Sequence, residues 1–95
     1  MAKAQYRSKM AQIHEILAIA TEGGQYGTNV SNIAQKANLS HYTVIENCNQ
    51  LIESGLIEQH LEKRSRVFQM TEKGMVFFNE LDRFQNIVCS LNLRY

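Results

Sequence analysis

The stretch TNVSNIAQKANLSHYTVIENCNQLIESG, residues 28–55, decides how this chain is read. Val30, Ile33, Ala34 and Ala37 recur at steps of three and one, the spacing of a short helix with one buried face. Thr28 or Asn29 supplies its cap. Asn38-Leu39 then makes a brief turn. Ser40 caps a second helix, from His41 to about Ser54, with Thr43 standing where a capping-box glutamate would sit. Val44, Ile45, Cys48, Leu51 and Ile52 form its apolar stripe. The opposite side carries Tyr42, Thr43, Glu46, Asn49, Gln50 and Glu53, with Asn47 at the margin. Gly55 is placed to stop the helix.

Working outward, the residues before this pair predict another helix, from about Ser8 to Thr21. Ser8 is its cap and Met10, Ile13, Ile16, Leu17 and Ala20 its buried face. Gly23-Gly24 ends it. After the pair come two extended runs, Leu56 to Glu62 and Arg66 to Met70, around a Lys63-Arg64-Ser65-Arg66 tip. Without Asn-Gly or Asp-Gly at the tip the turn type is not readable. Two strands alone are marginally stable and must rest on the helices. Thr71 caps a last helix that runs to about Leu91, a rod of about 30 Å at 1.5 Å per residue. Phe77, Leu81, Phe84, Val88 and Leu91 alternate steps of four and three, a seam that calls for a partner helix. Met75 and Phe78 point elsewhere and anchor the helix to its own domain.

The order is helix, short helix, helix, hairpin, helix. A short turn between the second and third helices is helix-turn-helix spacing, and the hairpin behind it is a wing. The expected fold is mainly α (α+β): a winged helix-turn-helix domain over residues 1–70 with a basic N-terminal arm, and a C-terminal dimerisation helix over residues 71–95. In such a fold the third helix, residues 40–54, enters the major groove and its polar side chains read base edges. Ser40, Tyr42, Thr43, Asn47 and Gln50 are the candidate base contacts, ahead of Asn49. Seven of the ten basic residues fall on the arm, the second helix and the wing (residues 62–67). Of these, Arg7, Lys9, Lys36, Lys63, Arg64 and Arg66 are the candidate phosphate contacts. Glu46 is a counter-signal, since it repels phosphate.

The chain also resembles a family, the archaeal winged-helix regulators, which include small DNA-binding proteins whose last helix pairs in an antiparallel coiled coil. The residues that carry the resemblance are Ile13-His-Glu-Ile-Leu17, Thr28 through Leu39-Ser40, Leu51-Ile-Glu-Ser-Gly-Leu-Ile57 and Phe68-Gln-Met-Thr-Glu-Lys-Gly74. It spans residues 8 to 85. Met70 departs from the leucine usual before the threonine. The resemblance implies a homodimer that binds double-stranded DNA, in transcription or in chromosome organisation.

Other classes find little support in the residues. The chain has 95 residues, 44% hydrophobic and 20% charged, with a net charge of +1. That is ordinary globular composition, and it does not by itself announce a nucleic-acid binder. No apolar run approaches the roughly 18 residues of a membrane span, so a cytoplasmic, nucleoid-associated protein is expected. Cys48 and Cys89 are read as free thiols. His14, His41 and His60 are scattered, so no metal or cofactor is expected. No nucleophile has a base beside it and no glycine loop cradles phosphate, so an enzyme is not expected. The alternatives kept open are an architectural DNA binder with little sequence preference and a protein-interaction module.

Overall fold

A computed structural model describes residues 8–93 of the chain. Helix α1 spans Lys9–Gly23, and Ser8 caps it by accepting from the Ala11 N–H at 3.1 Å. A single 3-10 turn, Gly24–Tyr26, leads into strand β1, Thr28–Asn29. Helix α2 is Val30–Ala37 and helix α3 is His41–Glu53, capped by Asn29 and Ser40. Between them Asn38 adopts a left-handed conformation, φ 57°, which asparagine tolerates better than most residues. Strands β2, Ile57–Glu62, and β3, Ser65–Met70, form the wing, and helix α4 is Glu72–Ser90.

The fold class is the one the sequence implied, with one addition. The sheet has three antiparallel strands in the order β1-β3-β2, not two. Thr28 and Asn29, read from sequence only as a cap, pair with Phe68 and Val67. Gly27 allows this. It sits at φ 74°, and a Cβ there would lie 2.6 Å from the Phe68 carbonyl oxygen. The third strand ties the wing to the helical layer and relieves the marginality of a lone hairpin.

The wing turn is also tighter than the four-residue tip suggested. Glu62 pairs with Ser65, leaving Lys63 and Arg64 as a two-residue turn, both at positive φ (50° and 72°). This is the turn geometry that follows strand twist, built without the glycine or asparagine that normally supplies it.

One core holds the domain together. Ile16 and Leu17 of α1, Ile33 of α2, Val44 and Cys48 of α3 and Phe68 of β3 are all fully buried within it. Phe77 and Phe78 of α4 pack against the same cluster. Further along, His14 of α1 stacks on Phe78 with ring centroids 5.2 Å apart, and its Nε2 lies 2.8 Å from Asp82 Oδ1. The start of α4 is fixed by two contacts. Thr71 caps the helix by accepting from the Gly74 N–H, and its hydroxyl donates to the Gly55 carbonyl at 2.6 Å.

Candidate nucleic-acid interface

Helix α3 turns Val44, Asn47, Cys48 and Leu51 into the core. Its outward ridge is therefore Tyr42, Glu46, Asn49 and Glu53, one stripe at steps of four, three and four. Tyr42 is 75% exposed and does not pack on α1. Gln50 is exposed on the flank facing α1 and α4, where it lines a groove with Met10, Ser54 and Lys73. Ser40 and Thr43 stand at the start of α3 but are engaged with each other. Ser40 Oγ accepts from the Thr43 N–H at 3.1 Å and donates to Thr43 Oγ1 at 2.9 Å.

Asn47 is a correction. It was expected among the outward polar residues, but it is 1% exposed and its Nδ2 donates to Gln12 Oε1 of α1 at 3.1 Å. The physical reason is its angle, closer to the apolar stripe than to the ridge. A marginal position is drawn inward when a buried partner satisfies its amide. Asn49, ranked below Asn47 from sequence, is the asparagine that faces out. The step pattern from Tyr42 to Glu53 was the signal that could have shown it.

The cationic side chains divide into two groups. Lys63 and Arg64 form the exposed wing tip, and Lys9 is exposed at the start of α1. Arg64 shares a groove with Asn29, Ser31 and Ser65, between the tip and the first turn of α2. Lys36 instead leans to Glu22 of α1, 3.5 Å away. Arg66, expected on phosphate, is tied down across the wing. Its Nε donates to Gln59 Oε1 at 2.9 Å, its Nη2 donates to Asn49 Oδ1 at 3.4 Å, and its guanidinium lies 5.5 Å from the Phe68 ring centroid. Arg7 lies outside the described residues.

The expected seam on α4 is also redrawn. Leu81 and Val88 are buried within the single chain, and Phe77 packs half-buried on the core. Because α4 lies along α1, those positions are spent inside the domain. The outward apolar stripe is Val76, Phe84, Ile87 and Leu91, with Glu80 and Arg83 paired at 2.8 Å among them.

Burial pushes the Cys48 thiol up to about 11, with Arg66 opposing slightly. Cys89 is exposed. Among the described residues, no cluster of three histidine, cysteine or acidic side chains is placed to hold a metal ion, and no helix is long and apolar enough to cross a membrane.

A protein-family model described as winged helix-turn-helix matches residues 6–89. The chain belongs to the winged helix-turn-helix family. No curated protein sequence matches it. Among solved structures, this winged helix-turn-helix chain is similar to Sso10a-2, a DNA-binding protein from Sulfolobus solfataricus. The TM-score is 0.78 at 18% identity, covering 90% of this chain and 86% of that one. It is similar to the protein AF1382 from Archaeoglobus fulgidus, with TM-score 0.73 at 23% identity, covering 85% and 90%. It is also similar to a MarR-family transcriptional regulator from Rhodococcus sp. RHA1, with TM-score 0.71 at 22% identity. That match covers 76% of this chain but only 51% of the regulator, so the winged helix-turn-helix chain spans about half of it. At these identities the likeness is one of fold.

Proposed function

We propose that this protein is a homodimeric DNA-binding regulator that seats α3 in the major groove and lays its wing on the phosphate backbone. One arrangement carries the reading: the outward polar ridge on α3 is bonded to the wing through Asn49 and Arg66, and that wing ends in the exposed cations Lys63 and Arg64. Tyr42 and Asn49 face the bases from the ridge, and Gln50 reaches them from the flank of the helix. Ser40 and Thr43, at the entry of the helix, stand where a base edge or a phosphate meets them. Lys9, Lys63 and Arg64 neutralise phosphate, with Lys36 and the arm residue Arg7 as further contacts.

The dimer rests on the stripe Val76, Phe84, Ile87 and Leu91, which a second α4 covers. Ile87 is 51% exposed at its centre. Ile87→Glu is expected to convert a dimer into a monomer by light scattering, and a monomeric wild type would remove the dimer from the proposal. Two subunits that each neutralise about three phosphates give a log-log salt slope of about −5.

The experiment that tests the reading is selection from a random duplex pool at two salt concentrations, with Arg64→Ala and Gln50→Ala beside the wild type. Arg64→Ala is expected to weaken all duplexes alike and lower the salt slope, whereas Gln50→Ala changes the preferred sequence. Binding without any enriched sequence would mark an architectural role. A second reading, recognition of a protein partner through the same helix, is favoured by Glu46 and Glu53 on the ridge. It predicts no duplex binding at about 50 mM salt, where a phosphate-binding protein is held most tightly.

A further inference from the structure

The Arg66 bridge has a chemical consequence for what α3 can read. A guanidinium carries N–H donors and no acceptor. Each amide that meets it must therefore present its oxygen, which fixes the orientation of both partners. Asn49 gives Oδ1 to Arg66 Nη2 and Gln59 gives Oε1 to Arg66 Nε. Both NH2 groups are thereby turned away from Arg66. Asn49 lies on the outward ridge of α3 and Gln59 is exposed on β2, so these donors are accessible. The junction of wing and α3 becomes a surface of N–H donors with a positive charge behind it.

A free asparagine reads adenine, donating to N7 and accepting from N6. Here that pattern is disfavoured. The oxygen that would accept from N6 is held by Arg66, and an amino group brought to its second lone pair would meet the N–H dipoles of the guanidinium. Cytosine offers an amino donor and is rejected for the same reason. Thymine offers one acceptor beside a methyl group. Guanine alone offers two acceptors, O6 and N7, along its major-groove edge.

We propose that Arg66 is a positioning residue that makes Asn49 a donor-only reader of guanine, assisted by Gln59, and that this sets the base preference at the junction of α3 and the wing. The inference rests on the DNA-binding reading above and adds to it a base identity and the residue that decides it.

The test is selection from a random duplex pool by the full-length wild type, Asn49→Ala, Arg66→Met and Arg66→Lys, with thermal melting to confirm that each is folded. The wild type is expected to enrich guanine at one position of each half-site by about 5- to 50-fold over adenine. Asn49→Ala loses that preference without losing the rest of the motif. Arg66→Met releases the Asn49 oxygen and turns the position to adenine, a change that a merely structural role for Arg66 would not produce. Arg66→Lys keeps the charge but lacks the fork that holds two amides at once, so its guanine preference falls between the two; should Arg66→Met fail to fold, this variant decides. A guanine preference unchanged in Arg66→Met overturns the inference and leaves DNA binding standing. A uniform loss of affinity in Asn49→Ala, with a shallower salt slope, assigns the donors to phosphate and also overturns it. Failure of every form to bind any duplex overturns the DNA-binding reading itself.

Discussion

Asn47 Nδ2 donates to Gln12 Oε1 at 3.1 Å, and this bond fastens the middle of α3 to α1. Asn47 is thus part of the frame that aims the outward ridge. Asn47→Ala is expected to cost about 1–2 kcal/mol of stability, from a lost bond and a small cavity. Replacing both Asn47 and Gln12 by leucine should recover most of that loss, since no polar atom is then left unpaired. Urea denaturation checks both, and the selected duplex sequence should be the same for Asn47→Ala as for the wild type.

Gly74 lies against the carbonyl of Leu56, where a Cβ would stand 1.9 Å from the oxygen. The same carbonyl accepts from the Thr71 N–H at 3.1 Å, so it is not free to swing away. Gly74→Ala gains about 1 kcal/mol in helix propensity. The steric cost is about 3 kcal/mol. A net loss of about 2 kcal/mol in unfolding free energy is expected from urea denaturation. The close approach also accounts for the glycine in the Thr71-Glu-Lys-Gly74 motif.

The wing tip holds Lys63 and Arg64 at positive φ, a conformation costly to residues with a Cβ. Lys63→Asn with Arg64→Gly supplies the residues this turn prefers. The double variant should be more stable by about 1–2 kcal/mol. It should also bind duplex DNA more weakly, with the dimer's salt slope smaller by about 4, because two phosphate contacts are gone from each subunit. Melting and a salt titration should therefore move in opposite senses. If affinity is unchanged, the tip does not touch the backbone.

Cys48 is fully buried, and its thiol is pushed from 9.0 to about 11. The neutral form is the one the core accepts, so the folded value lies above the unfolded one. The stabilisation is complete below about pH 9 and is lost as pH rises toward 11, in total about 2–3 kcal/mol. Cys48→Ala should lack this alkaline decline, measured as unfolding free energy between pH 8 and 11. At pH 8 a thiol reagent should label the exposed Cys89 and leave Cys48 unmodified until the protein unfolds.

Most of the helical order was legible in the sequence because it is written in local chemistry. Ser8, Asn29, Ser40 and Thr71 each cap the helix that follows, and Asn38 takes the left-handed turn between α2 and α3. Apolar spacing then placed Ile16, Leu17, Ile33, Val44, Cys48 and Leu51 in the core, though it missed the buried Ile19 of α1. Strand β1 escaped because two residues carry no alternation. It exists only through its pairing with Phe68 and Val67.

The candidate site was legible less far. Local sequence determined which side of α3 is polar and that the wing tip is basic. Helical phase sets Asn47 beside the apolar stripe and Asn49 on the ridge, but tertiary packing decided what each meets: Gln12 on a distant segment satisfies one amide and Arg66 orients the other. It also decided that Leu81 and Val88 are buried in the single chain while Ile87 is left outward, because α4 lies along α1. Periodicity states that a residue has an apolar or polar neighbour. Which neighbour that is depends on contacts between segments far apart in the chain, and only the folded structure brings those together.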